Sequence, residues 1–197
     1  ESGYPFKEVE GEAAFYGPKV DFMIKNVIGN EYAISTNQLD FLATERFNLN
    51  YIGDDGAKHP VYVIHRAPLG SHERFVAFLI EHYAGAFPLW LSPIQVRLIP
   101  IADRHVDYAK QVQNFLMNAE VNNGTGGLRV DMDDSAERMQ KKIRNAQQEK
   151  IPYMLVIGDK EVEEEKVAVR LRSGGDLGAI QPAELLERLK SEIYQYK

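Results

Sequence analysis

Along the first half of the chain, apolar positions come in short runs rich in aromatic and β-branched residues and separated by turn signals, the mark of antiparallel β structure. Ala14 to Lys25 reads as a strand, Ile28-Gly29-Asn30 as a turn, and Glu31 to Phe41 as the returning strand. Asp54-Asp55-Gly56 marks a second turn before a strand over Pro60 to His65. Ser71 is a good helix N-cap. The helix it opens places Phe75, Phe78, Leu79 and His82 on one side and ends at Gly85.

After the proline-bracketed bridge from Phe87 to Pro93, the pattern changes to strands alternating with helices. Strands are expected at Val96 to Ile101, Leu128 to Met132, Tyr153 to Ile157 and Lys166 to Leu171. Helices are expected at Asp107 to Glu120, from about Ser135 to Glu149, and from Pro182, with a turn at Gly124, Gly126 and Gly127. Strands separated by helices imply a layered βαβ sheet. The fold class is therefore α/β with an α+β N-terminal part, divided into residues 1–92 and 93–197.

Composition narrows the function classes. The 197 residues carry a formal net charge of −6, against a sequence-blind coat on DNA. Of the 23 basic residues, 16 lie beyond residue 92, and five of those (Arg138, Lys141, Lys142, Arg144, Lys150) fall between 138 and 150 with Glu149 as the one acid. That run reads either as a solvated helix face or as a local docking place for a polyanion. With no cysteine there is no disulfide framework, no Cys-ligated zinc and no thiol nucleophile. No apolar run is long enough to cross a membrane, and neither a P-loop nor a dinucleotide fingerprint occurs. The first residue, Glu1, points to a processed or cut chain.

Some residues sit against local rules. Arg74 falls in the first turn of its helix, where the positive dipole end disfavours a cation by a few tenths of a kcal/mol. A phosphate beside it, Ser71 and the helix-start N–H groups would reverse that balance, whereas snorkelling to solvent or pairing with Glu73 or Asp40 would make it structural. Gly17-Pro18 within a β-rich stretch implies either a plain edge strand or a bend that re-aims Tyr16 and Lys19, the lysine suiting a carboxylate or phosphate. Thr36, Gln38 and Asp40 share one face of their strand, as a polar substrate subsite or a wet sheet face. By spacing alone His65 reads as a structural histidine.

Taken in order, AFYGPKVDF (14–22), TNQLDF (36–41), VIHRAPLGSHERF (63–75), EHYAGAFPLWLSP (81–93), KIPYMLVIGDKEVE (150–163) and KVAVRLR (166–172) resemble the C-terminal part of the threonyl-tRNA synthetase family. The resemblance implies the end of a class II catalytic domain, an antiparallel sheet with the motif 3 helix, followed by an anticodon-binding domain with a mixed sheet flanked by helices. It implies that Arg74 is catalytic and holds ATP phosphate, that Gly70 and Ser71 line the adenylate pocket, and that Tyr16, Lys19, Thr36 and Gln38 surround threonine and the adenylate. It makes His65 the last of three zinc ligands, the other two lying upstream. Arg138, Lys150, Glu161 and Arg170 fall on the anticodon-reading surface.

The partners so implied are threonine, ATP with magnesium, zinc and tRNA(Thr), in a cytoplasmic homodimeric ligase. The family's Trp-Gln-Cys-Gly is replaced here by Tyr32-Ala33-Ile34-Ser35, and a usual Arg-Asn pair by Ser135-Ala136. Motifs 1 and 2 do not occur in these residues, so the chain alone is expected not to form threonyl-adenylate. The other reading is a non-catalytic tRNA-binding protein built on the same anticodon domain.

Overall fold

A computed structural model describes residues 3–121 and 126–196. The expected turn residue Gly124 lies outside the described residues. The chain forms two compact units, Glu1–His82 and Tyr83–Lys197.

The first unit is built on a three-stranded antiparallel sheet ordered β1 (Lys19–Lys25), β2 (Glu31–Asp40), β5 (Val63–Ala67). At the β1–β2 turn the Asn26 side chain accepts from the backbone N–H groups of Ile28 and Asn30, and Gly29 takes a left-handed conformation, as the Gly-Asn signal implies. Residues 14–18 depart from the expected strand. Pro18 has no N–H to give a ladder, and the segment bends through a single bridge between Ala14 and Gly17. Its carbonyls still accept from the neighbouring strand: Leu39 N–H donates to Pro18 O, and Phe41 N–H, just past β2, donates to Tyr16 O.

The expected strand at 60–65 is two pieces. Lys58–Pro60 (β4) pairs with Asn50–Ile52 (β3) across the Asp54-Asp55-Gly56 turn, and only from Val63 does the chain join the main sheet. The sequence reading missed a five-residue helix at Leu42–Arg46 (α1), where Asp40 accepts the Ala43 N–H at 2.9 Å. The helix His72–Tyr83 (α2) closes the unit, its stripe of Phe75, Phe78 and Leu79 half-buried.

The second unit carries every fully buried apolar side chain found among the described residues. Its mixed sheet has the order β10 (Asp176–Ile180), β9 (Val167–Leu171), β8 (Tyr153–Ile157), β6 (Val96–Pro100), β7 (Val130–Met132), with β6 parallel to both neighbours and β9 and β10 antiparallel. Period-two alternation sends Leu98, Leu155, Ile157 and Val169 to one face under α3 (Val106–Met117) and α6 (Pro182–Tyr194). The other face sends Ile99, Met154 and Val156 against Ile143 and Ala146 of α4 (Met139–Gln148). Strand β10 was not foreseen, because Gly174, Gly175 and Gly178 interrupt any apolar alternation there. A short helix, α5 (Asp159–Glu163), links β8 to β9.

The bridge at 87–93 packs into this unit. Leu89 is 1% exposed, Gln95 holds its carbonyl, Arg129 donates to the carbonyls of Trp90 and Ser92, and Arg172 donates to that of Phe87. The units therefore divide at His82/Tyr83, ten residues before the expected boundary.

Candidate functional site

Cross-strand register assembles one polar face on the first sheet. Lys19 lies opposite Gln38, which lies opposite His65, while Asp21 lies opposite Thr36. Tyr16, re-aimed by the Gly17-Pro18 bend, donates its hydroxyl proton to Gln38 Oε1 and sets its ring edge-on to His65, with centroids 5.7 Å apart. Gln38 Nε2 reaches Thr36 Oγ1 at 3.4 Å. The structure thus brings Tyr16, Lys19, Thr36, Gln38 and His65 together on one strip.

Two carboxylates complete the strip. Lys19 Nζ meets Asp21 Oδ2 at 2.7 Å, and the hydrogen bonds from Lys19 and then Thr36 hold the Asp21 carboxyl below its usual range. The same contact raises Lys19, which therefore stays a cation rather than serving as a base. Asp21 was missed by the sequence reading, although two residues past Lys19 on a strand is the same face. Asp40, 7% exposed, binds His65 Nε2 through Oδ2 at 2.7 Å, and that bond followed by the Ala43 N–H lowers its pKa. Among the described residues no three His, Asp or Glu lie close enough to hold a metal. These residues by themselves do not fit a zinc ion, since His65 stands with Asp40 alone.

Gly17 is what lets this strip form. It adopts φ +157°, and a Cβ there would lie 2.0 Å from Leu39 O, a backbone atom that cannot swing away. Gly17→Ala is expected to destabilise the first unit by at least about 1–3 kcal/mol, read as a lower midpoint in urea. The Tyr16–Gln38 bond goes with it.

Arg74 stands apart from that strip along the same strand. Its side chain lines a cavity of about 140 Å³ with Ala33, Ile34, Tyr32 and Phe78, at the end of β2 opposite to Gln38 and Asp40. Among the described residues neither Glu73 nor Asp40 pairs with it, so of the structural explanations offered by the sequence only an arginine turned to solvent is left, and Arg74 is exposed. Ser71 is the N-cap expected, its Oγ accepting the Arg74 N–H at 3.2 Å. Gly70 (φ +60°) lets the loop pass Ile34, whose carbonyl would sit 3.2 Å from a Cβ.

In the second unit the four named residues sit at two edges of the sheet. Arg138, the N-cap of α4, follows β7, and Glu161 on α5 follows β8, so both lie at the carboxyl edge. Lys150, at φ +63° just before β8, and Arg170, opposite Met154 on β9, lie at the amino edge. Arg138 and Lys150 flank the ten residues of α4, which at a rise of 1.5 Å each span about 15 Å, the reach of several nucleotides rather than one. Arg170 is loosely paired with Asp176 at 3.8 Å.

The basic run is less free than it reads in sequence. Lys142 is 3% exposed and donates to the carbonyls of Pro100 and Asp133, Lys141 pairs with Glu137, and Glu149 is taken by Arg97. Lys141 is exposed but paired, and Arg138, Arg144 and Lys150 remain as its exposed cations without an ion pair among the described residues.

Comparison with known proteins adds an independent line. Residues 2–83 match the model of the tRNA synthetase class II core domain (G, H, P, S and T), and residues 95–192 match that of the anticodon binding domain. The chain is 51% identical over 193 residues to a threonine–tRNA ligase of Carboxydothermus hydrogenoformans, and 50% identical over 192 residues to one of Clostridium tetani. Each alignment covers 98% of this chain and 29% of the relative, so the chain spans under a third of their length. The solved RNA binding domain of threonyl-tRNA synthetase from Cryptosporidium parvum Iowa II superposes with a TM-score of 0.79 at 37% identity, covering 92% of this chain and 44% of that one.

Proposed function

The chain belongs to the threonyl-tRNA synthetase family, and from that premise we propose that it serves a class II ligase that activates threonine with ATP and transfers it to tRNA(Thr). The observation that carries the reading is the half-identity to threonine–tRNA ligases across both units. A core-domain match over residues 2–83 leaves the purely tRNA-binding alternative without support.

In this reading the first unit supplies one wall of the activation site. Lys19 offers a fixed cation and Tyr16, Thr36 and Gln38 offer neutral hydrogen-bonding groups to the polar ends of threonine or its adenylate. Arg74 aims a guanidinium at ATP phosphate, with Gly70 and Ser71 shaping the turn that presents it. Magnesium would neutralise charge on the same phosphates. For zinc these residues supply one imidazole, His65, and nothing in the proposed chemistry passes through the metal. Dimerisation and a place in cytoplasmic translation belong to the whole ligase; no helix among the described residues is long and apolar enough to cross a membrane.

The second unit reads the anticodon. Arg170 forks onto a base edge or stacks on it, Glu161 accepts from a base amino group, and Arg138 and Lys150 hold phosphates at the two edges. Arg170→Ala is expected to weaken binding of tRNA(Thr) by about 1–3 kcal/mol and to relax anticodon preference, measured by titration of the chain with native and anticodon-altered tRNA. An equal loss across unrelated tRNAs would make Arg170 a phosphate contact instead.

A further inference from the structure

At the carboxyl edge of the second unit, side chains that no role above uses form a continuous network. Strands β6 and β8 run parallel, and Ile101 N–H donates to Ile157 O at 2.9 Å, adding one rung beyond the strands. The chain then turns through Asp103–His105. There Ala102 N–H donates to His105 Nδ1 at 3.1 Å, so this nitrogen carries no proton. The neutral ring, 2% exposed, must bear its proton on Nε2, which donates to Asp159 Oδ1 at 2.9 Å. Arg104 closes on the same carboxylate with a two-pronged fork, Nε to Oδ1 at 2.7 Å and Nη2 to Oδ2 at 2.6 Å.

Asp159 opens α5, and two residues on, Glu161 Oε2 accepts the Gly158 N–H at 2.9 Å. A Cβ at Gly158 would meet Ile101 Cδ1 at 2.9 Å and Glu161 Oε2 at 3.1 Å, so the Ile101 side chain after β6 and the Glu161 carboxylate both press into the space that a side chain at this position would need.

We infer that Arg104, His105 and Asp159 form a clamp that positions Glu161, and that through it the β6 loop sets anticodon discrimination. The inference rests on the proposed role of Glu161. Its physical basis is an imbalance between construction and stability. The Arg104 and Asp159 side chains are 66% and 62% exposed, where an ion pair contributes little to folding. Yet a full fork and a buried imidazole converge on a helix of five residues, far too short to hold itself. What such a clamp fixes is direction. With Oε2 tied to Gly158, Oε1 is the oxygen left for a base amino group, and its bearing follows from where α5 begins. The site also lies where β6 is left by α3 on one face and β8 is reached by α4 on the other, the switch point at which open α/β sheets present their crevice.

The test uses the whole 197-residue chain and the anticodon stem–loop RNA of a threonine tRNA, native and with each anticodon base replaced in turn. The readout is the ratio of the Kd values, which loss of folded protein leaves unchanged because it lowers both affinities alike. Glu161→Gln is expected to lower the ratio at one base about five- to tenfold. Asp159→Ala and Arg104→Ala should lower it at that same base to a similar extent. Arg104→Lys should not restore it, since an ammonium cannot form the fork, and Asp159→Ala combined with Glu161→Gln should be no worse than Glu161→Gln alone. If Glu161→Gln lowers the ratio while the clamp variants keep the wild-type value, the inference is overturned and the role of Glu161 stands. If Glu161→Gln itself changes nothing, the role of Glu161 fails and takes the clamp with it.

Discussion

Within a complete threonine ligase, Arg74→Ala is expected to lower the rate of threonyl-adenylate formation about 10²–10³-fold, the usual cost of removing one preorganised group that stabilises developing charge. The melting temperature should stay where it is. Arg74 is exposed, stands in the first turn of α2 where the helix dipole opposes a cation, and pairs with no carboxylate among the described residues. Folding therefore gives no more reason for it than a solvent-facing arginine, and the phosphate contact proposed for it at the head of β2 gives a chemical one. Arg74→Lys should recover little, because a single ammonium cannot match two phosphate oxygens at once. ATP–pyrophosphate exchange measures both variants. Activity within about threefold of wild type would remove Arg74 from the phosphate site.

The second large effect concerns stability. Lys142→Met keeps the aliphatic stem packed under α4 but leaves the carbonyls of Pro100 and Asp133 without their shared donor. Each buried acceptor stripped in this way costs about 1–3 kcal/mol, and Asp133 is only half-buried, so the sum comes to about 2–4 kcal/mol. For a unit of this size the thermal midpoint should fall by roughly 10 °C, followed by circular dichroism. A loss below about 1 kcal/mol would mean that water already satisfies both carbonyls. Lys142 is a staple between the ends of β6 and β7, and its position in a basic run gave the opposite impression.

That residue shows where reading a sequence stops. The elements with strong periodicity, such as β8 and α6, stood where apolar spacing put them, because burial on a known face fixes both type and register. Short or glycine-interrupted pieces, α1, α5 and β10, carry too few apolar positions to announce themselves and form because tertiary partners hold them. Spacing along β2 foretold the common face of Thr36, Gln38 and Asp40. It could not foretell that Lys19 and His65 flank Gln38, since cross-strand register depends on turns and on the bend at Gly17-Pro18. Charge was the least legible property. Lys142 and Glu149 fall in a run that reads as a solvated helix face, yet Lys142 is buried and Glu149 is tied at 2.8 Å to Arg97, itself buried on β6.

The most direct measurement is a titration of the 197-residue chain with native tRNA(Thr) and with the same tRNA carrying a foreign anticodon, at one fixed salt concentration. The expected result is at least about tenfold tighter binding of the native molecule, as two or more base contacts require. Equal affinity for the two would contradict anticodon reading by the second unit.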